Sequence, residues 1–321
     1  MKLGVMSAIY GDKSWEQACK AAKAAGLKAI EPGVGGFVGK MHADPSLMLK
    51  EPEELDRFTG TARESGLDIS ALACHGNPLH PDRGQAEAHT QDLLDAVEVA
   101  KRANISVITC FAGCPGAGQD AKYPNWITCP WPPYFGEAVK WQWEKKVIPF
   151  WKEMAQKGQK AGVSFAFEMH PGDVVYNPET LLKLKQEVGS PAIACNFDPS
   201  HLFWQAIDPI VAINLIGDMI VHVHAKDTKL NDGVVRYRGV NDWKHYGEIA
   251  KRAWNFRTVG YGHSHEFWND FVSALRLAGY DGVISIEHED PLMSVDEGLD
   301  KAIQFLSGVI LCEKPGRMWW A

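Results

Sequence analysis

The chain contains 321 residues, of which 45% are hydrophobic and 23% are charged, a composition that is ordinary for a globular protein. Its 33 basic and 40 acidic side chains give a formal net charge of -7, so we expect no nucleic-acid partner. No stretch approaches the ~18 consecutive apolar residues of a membrane span, which argues against a membrane partner.

The N-terminus and the cysteines together indicate a compartment. Residues 1–11 carry a short apolar run without a cleavage-site pattern, so we predict a first strand there rather than a leader. The seven cysteines form no closely spaced framework, and an odd count in a long chain is typical of a reducing compartment. We therefore expect a cytoplasmic protein.

Short apolar runs alternate with amphipathic stretches along the whole chain. The first strand, predicted at residues 3–9, precedes a helix that Ser14 and Gln17 would begin with a capping box. The later strands are predicted at residues 27–31, 67–75, 105–111, 163–168, 192–198, 219–224 and 283–287. The helices between them are predicted at 52–66, around 93–97, and at 140–162, 178–188, 209–216 and 266–278, with a last helix around 299–306.

This alternation predicts a parallel sheet, because strands joined through helices run in the same direction. The helix-to-strand turns read AAGLKAI, ESGLDIS, KAGVSFA and LAGYDGV, each with a glycine that would end its helix in the left-handed conformation. Eight strand–helix units favour a closed (β/α)₈ (TIM) barrel over an open doubly wound sheet. We predict one α/β domain over residues 1–321.

Two connections are longer than the rest, at about residues 112–139 and 228–262. Both follow the C-terminal end of a strand, the face on which barrel enzymes build their sites. They contain Trp131, Trp243 and Trp254, so we predict loops that cover a substrate. A partner-binding surface is the alternative interpretation.

The last four barrel strands share a pattern in which apolar residues alternate with polar ones. On strand five, Phe165 and Phe167 share one face while Glu168 ends the other. Strands six, seven and eight repeat the pattern and end their polar faces with Asp198, His224 and Glu287. Three carboxylates and one imidazole would therefore meet above the barrel mouth. Because such a cluster needs a cation, we predict one divalent metal held by these four residues, with Mn²⁺ first and Mg²⁺, Co²⁺ or Zn²⁺ as alternatives.

The segments around these four residues resemble the xylose-isomerase-like barrel superfamily, which includes sugar isomerases and epimerases, inosose dehydratases and endonuclease IV. They are FEMHPG at 167–172, DPSH at 198–201, HVHAKD at 222–227 and IEHED at 286–290. The resemblance implies the same four metal ligands. It also implies an enzyme that moves a proton beside a sugar carbonyl through an enediolate, with Glu168 and Glu287 as the acid/base pair.

Further roles follow from the resemblance. It implies that His201 and Lys226 orient the substrate, and His170 belongs to the same motif as Glu168. The second glutamate and the arginine of the tagatose epimerases are replaced here by Val174 and Leu230, which puts free-ketohexose epimerisation in doubt. The acidic charge and the absence of a histidine on strand four argue against endonuclease IV activity.

A subgroup resemblance gives the alternative function. Residues 35–42 (GGFVGKMH) and 74–81 (CHGNPLHP) look like the α-subunits of C-glycoside deglycosidases, which cleave 3-oxo-glycosides and pair with a small β-subunit. In this interpretation His75 and His201 join the catalytic residues as candidates for the base or the acid. His42 and Trp131 contact the glycoside, and the partner is a β-subunit or a second copy of the chain. A sugar-binding subunit without activity remains a third interpretation.

Overall fold

A ring of parallel strands forms the centre of the computed structural model, which describes all 321 residues. The strands of the ring are β1 (Lys2–Met6), β2 (Ala29–Glu31), β3 (Gly33–Gly36), β4 (Asp68–Ile69), β5 (Leu72–His75), β6 (Val107–Cys110), β7 (Ser164–Glu168), β8 (Ile193–Phe197), β9 (Ile220–Ala225) and β12 (Val283–Ile286). Two further strands, β10 (Asp227–Leu230) and β11 (Trp254–Arg257), form a separate antiparallel pair.

The ring closes where the second and third barrel strands pair, and each of these two strands is interrupted. Pro32 separates β2 from β3, since a proline has no N–H to donate to the ladder. β2 then pairs with β4, and β3 with β5, while β1 joins β12 to β2. Ten short strands therefore make eight barrel strands, and the predicted TIM barrel is confirmed.

The helices surround the ring. They are α1 (Trp15–Ala24), α2 (Pro45–Lys50), α3 (Pro52–Glu64), α4 (Arg83–Ala103), α5 (Tyr134–Gln142), α6 (Ile148–Ala161), α7 (Pro178–Val188), α8 (Ser200–Phe203), α9 (Pro209–Ile216), α10 (Asp232–Arg238), α11 (His265–Leu277) and α12 (Val295–Ser307). A π-helical turn at Trp143–Val147 joins α5 to α6. No helix is both long and apolar enough to cross a membrane.

The predicted helix ends and strand faces are also found in the structure. The Ser14 side chain accepts from Gln17 N–H and the Gln17 side chain accepts from Ser14 N–H, which completes the capping box. On the outer face of β7, Phe165 and Phe167 both contact the buried Trp151 of α6. The phenylalanines of β7 therefore point toward the helices, and Glu168 lies on the inner face of the strand.

The two long connections are more structured than predicted. The first is irregular only as far as Pro133, and α5 begins at the next residue, Tyr134. The second contains α10 and the β10–β11 pair, whose apolar residues form a separate five-residue core together with Trp204, which follows α8. That core holds Trp204, Val234, Ala253, Trp254 and Phe256. We call residues 227–257 the insert; it is a small folded unit rather than the predicted loop.

A close backbone contact fixes the loop between the second and third barrel strands. Gly36 has φ +68°, and a Cβ there would lie 2.1 Å from the carbonyl oxygen of His75. Phe37 N–H donates to that same oxygen at 2.6 Å. Only glycine fits this position without moving His75.

We predict that Gly36→Ala destabilises the protein far more than Gly39→Ala. Gly39 also has positive φ (+73°), but its added Cβ would meet nothing within 4 Å. The control substitution should cost only the left-handed backbone strain, about 1–2 kcal/mol, whereas Gly36→Ala adds a clash with backbone. Urea unfolding measures both. Equal midpoints for the two variants would contradict the account.

Candidate metal and sugar site

Four ionisable side chains converge where the last four barrel strands end. They are Glu168 at the end of β7, Asp198 after β8, His224 in β9 and Glu287 after β12. One ligand atom from each lies within 4.8 Å of the others. His224 Nδ1 is 3.2 Å from Glu168 Oε2 and 3.1 Å from Glu287 Oε2.

This geometry fits a divalent cation. Ligands about 2.0–2.2 Å from one ion lie roughly 3–4 Å from each other, and the 3.2 Å and 3.1 Å distances from His224 Nδ1 fall in that range. Asp198 is fully buried, and its Oδ2 faces the Lys226 ammonium at 3.1 Å and His201 Nε2 at 3.3 Å. Three oxygens and one nitrogen are donors suited to a hard or borderline ion. The four residues can therefore hold one metal.

Glu168 is the most enclosed carboxylate of the cluster. Its Oε1 lies 3.1 Å from His201 Nε2, and its Oε2 lies 3.2 Å from His75 Nε2. Asn196 Nδ2 donates to Oε2 at 3.1 Å. Burial alone would raise the pKa of Glu168, but hydrogen bonds from His201, His224 and His75 hold that pKa well below its usual range. The residue is held as an anion.

Lys226 supplies a fixed positive charge beside the cluster. Its ammonium is 2.8 Å from Glu287 Oε2 and 3.1 Å from both Asp198 Oδ2 and Glu289 Oε2. Burial would lower the pKa of Lys226, yet these carboxylates hold it well above its ordinary value. Burial likewise would raise the pKa of Glu287, but Lys226 and then His224 lower it to about 2.

Glu31 is a site residue that the sequence analysis missed. It ends β2 fully buried, and it accepts hydrogen bonds from Thr109 Oγ1 at 2.7 Å and Ser285 Oγ at 2.8 Å. Its Oε2 is 3.0 Å from His224 Nε2. The ring of His224 is therefore held from behind, so that Nδ1 faces the other ligands. The same alternation of outward-facing and inward-facing residues, if it had been applied to Ala29–Glu31, would have identified Glu31 as an inward-facing residue at a strand end.

A cavity of about 260 Å³ opens above these residues. Its lining comprises Met6, Phe37, Val38, His75, Phe111, Glu168, His170, Lys226, Glu287 and Glu289. His170 Nδ1 is buried there without a hydrogen-bond partner. Burial lowers the pKa of His170 to about 3, so the ring is neutral. Five of the predicted site residues therefore meet at one cavity.

Three other predicted site residues lie elsewhere. His201 is 2% exposed and sits behind His170, with ring centroids 4.2 Å apart, so it does not line the cavity. His42 is buried away from the cavity, because its ring nitrogens contact Ser7 Oγ at 2.8 Å and Lys13 O at 3.1 Å. Trp131 is 71% exposed and is also absent from the lining. The structure gives His42 and Trp131 no contact with the cavity.

The two tryptophans of the second long connection do not line the cavity either. Trp243 is 91% exposed, whereas Trp254 is buried and stacks on Trp204 at 4.8 Å within the core of the insert. Trp254 therefore packs inside the protein and is not available to contact a substrate, which is the role that the sequence analysis had predicted for it.

We predict that Glu31→Gln weakens divalent-metal binding by roughly 10- to 100-fold, the usual effect of losing a carboxylate behind a ligating histidine. Glu266→Gln, on the exposed first turn of α11, is the matched control and should change nothing. Competition with a metallochromic chelator measures the affinity of each variant. An affinity in Glu31→Gln equal to that of the control would refute the role of Glu31.

Comparison with known proteins agrees with this fold. The chain is 34% identical over 314 residues to the uncharacterized protein YfiH of Bacillus subtilis (strain 168), covering 97% of this chain and 99% of YfiH. The structure is similar to 3-keto-D-glucoside 4-epimerase, YcjR, from E. coli, with a TM-score of 0.65 at 12% identity, over 96% of this chain and 99% of that one.

A second solved structure gives the same result. The IOLI protein, crystallised with a zinc atom, matches with a TM-score of 0.65 at 16% identity, over 97% of this chain and 98% of that one. At these identities the two structures show a shared fold. The family model described as xylose isomerase-like TIM barrel matches residues 19–308. The chain belongs to the xylose isomerase-like TIM-barrel family.

Proposed function

We propose that this protein is a divalent-metal-dependent isomerase or epimerase that moves a proton beside the carbonyl of a sugar or 3-oxo-sugar. The observation that carries the proposal is the four-ligand cluster, because two of its members, Glu168 and Glu287, also line the cavity. The E. coli protein of the same fold, a 3-keto-D-glucoside 4-epimerase, supports a sugar substrate.

The donor set guides the choice of metal. Three carboxylates and one imidazole suit Mn²⁺, with Mg²⁺, Co²⁺ and Zn²⁺ as alternatives. When bound, such a cation would act as a Lewis acid on the carbonyl and adjacent hydroxyl oxygens of the substrate. Zinc in the IOLI protein supports a divalent ion in this fold.

The two glutamates differ in how freely they can exchange a proton. Both oxygens of Glu168 face histidines, and its side chain is 4% exposed. Glu287 is 17% exposed, and its contacts with His224 and Lys226 both use Oε2. We therefore assign the proton abstraction to Glu287, which holds the proton while the enediolate forms and then returns it. Glu168 remains an anion throughout.

One cationic side chain, Lys226, and one neutral side chain, His170, would orient the sugar oxygens. Lys226 lines the cavity and can donate to a developing oxyanion. His170 lines it as a neutral imidazole whose Nδ1 has no protein partner. We assign both residues to substrate binding.

The cytoplasm is the proposed location, because the odd number of cysteines is typical of a reducing compartment.

A second candidate function is cleavage of a 3-oxo-glycoside, as in the C-glycoside deglycosidases. The observation that favours it is His75, whose ring lines the cavity 3.2 Å from Glu168 Oε2. His75 would take the C2 proton. The resulting enolate would expel the C1 substituent, which leaves with its bonding electrons and is then protonated. A small β-subunit would be the partner in this function.

We predict that the purified protein carries about one equivalent of a divalent metal and that Glu168→Gln loses most of it. Glu179→Gln, in the first turn of α7, is the surface control. Elemental analysis measures the metal, and thermal unfolding checks that each variant is folded. A metal-free protein whose melting temperature is also unaffected by Glu168→Gln would refute the metal site.

We further predict deuterium incorporation into a 3-oxo-glucoside when protein and substrate are incubated in D₂O, because the abstracted proton exchanges before it returns. NMR of the recovered sugar measures incorporation and epimerisation together. Incorporation with the glycosidic bond intact supports the epimerase, whereas aglycone release supports the lyase. Failure of the metal-loaded protein to do either would contradict both functions.

A further inference from the structure

A second cavity continues from the first toward the insert. It measures about 460 Å³ and shares His170 and Glu289 with the cavity above the cluster. Its other lining residues are Tyr246, Asn255, Phe256 and Pro291. The first cavity alone is smaller than the roughly 300–1,000 Å³ of typical ligand sites, and the two together fall within that range.

The insert builds an aromatic surface on this second cavity. The rings of Tyr246 and Phe256 are nearly parallel, with an interplanar angle of 17° and centroids 6.0 Å apart. The buried Arg252 lies 4.2 Å from the centroid of Tyr246 and supports that ring. The Lys226 ammonium lies 4.7 Å from the centroid of Phe256, which ties this surface to the metal cluster.

Two polar groups of the second cavity are acceptors, Asn255 Oδ1 and the carboxylate of Glu289. Asn255 Nδ2 donates to Ile249 O at 3.1 Å, while Asn255 Oδ1 is buried with no partner. Glu289 adds a carboxylate whose Oε2 also faces Lys226. No lysine or arginine is among the lining residues. Acceptors without a cation favour hydroxyl groups and disfavour a phosphate.

We propose that the second cavity is a subsite for the second, uncharged ring of a glycoside. The inference rests on the proposed function, which places the reacting sugar in the first cavity. Tyr246 and Phe256 would contact the apolar face of the second ring, and Asn255 would accept from a hydroxyl. The substrate is therefore a neutral two-ring glycoside rather than a free monosaccharide or a sugar phosphate.

The opposite side of the mouth offers a competing position. A cavity of about 380 Å³ there is lined largely by aliphatic side chains, including Ile9 and Val295. It has no unpartnered amide, and its aromatic side chains are Phe37 and His288. It therefore lacks the paired rings and free acceptor found beside the insert.

Isothermal titration of the metal-loaded protein with cellobiose and with methyl β-D-glucoside tests the subsite. We expect cellobiose to bind at least about tenfold more tightly, and Tyr246→Ala to remove that advantage while leaving the methyl glucoside unaffected. Tyr246→Phe, which keeps the ring, should retain the advantage. Trp243→Ala and Val295→Ala are the controls outside the subsite and should behave as wild type.

Equal affinity for the two glycosides, or no binding of either, would overturn the subsite. Loss of the cellobiose advantage in Val295→Ala but not in Tyr246→Ala would assign the second ring to the opposite side and also overturn it. Failure of the proposed function would look different. Selective cellobiose binding by a protein that exchanges no deuterium would keep the subsite and remove the proton transfer.

Discussion

Repulsion among three carboxylates is the constraint on which the centre of this protein depends. Glu168, Asp198 and Glu287 present oxygens within 4.8 Å of one another in a largely water-excluded place. Their negative charges are tolerated there because positive or proton-donating groups face them on every side. Lys226 and His224 provide part of that compensation, and a divalent cation among the four ligands would complete it.

The barrel makes this arrangement possible by giving each strand an inner and an outer face. Outer residues such as Phe167 pack on the helices, so the inner residues of neighbouring strands are brought to one axis. Glu31 extends the same arrangement to the far side of the barrel, where it fixes His224 without approaching the cavity. The ligands are held on strands, and the substrate-facing surfaces come from the connections.

This division explains what could be predicted from sequence. The repeat of eight strand–helix units was sufficient to predict the barrel. Alternation along β7, β8, β9 and β12 is a local property, and it was sufficient to predict the convergence of Glu168, Asp198, His224 and Glu287. The positions of His42 and Trp254 depend instead on non-local packing. His42 turns to Ser7 and Lys13, and Trp254 to Trp204, contacts that no periodicity encodes. The folded insert and its Tyr246–Phe256 surface could not be foreseen for the same reason.

Anomalous diffraction from crystals grown with Mn²⁺ tests the central claim most directly, since it locates the ion without reference to activity. The account predicts a single strong peak about 2.0–2.3 Å from one atom each of Glu168, Asp198, His224 and Glu287. A peak elsewhere in the barrel, or none at saturating Mn²⁺ with these side chains ordered, would contradict it.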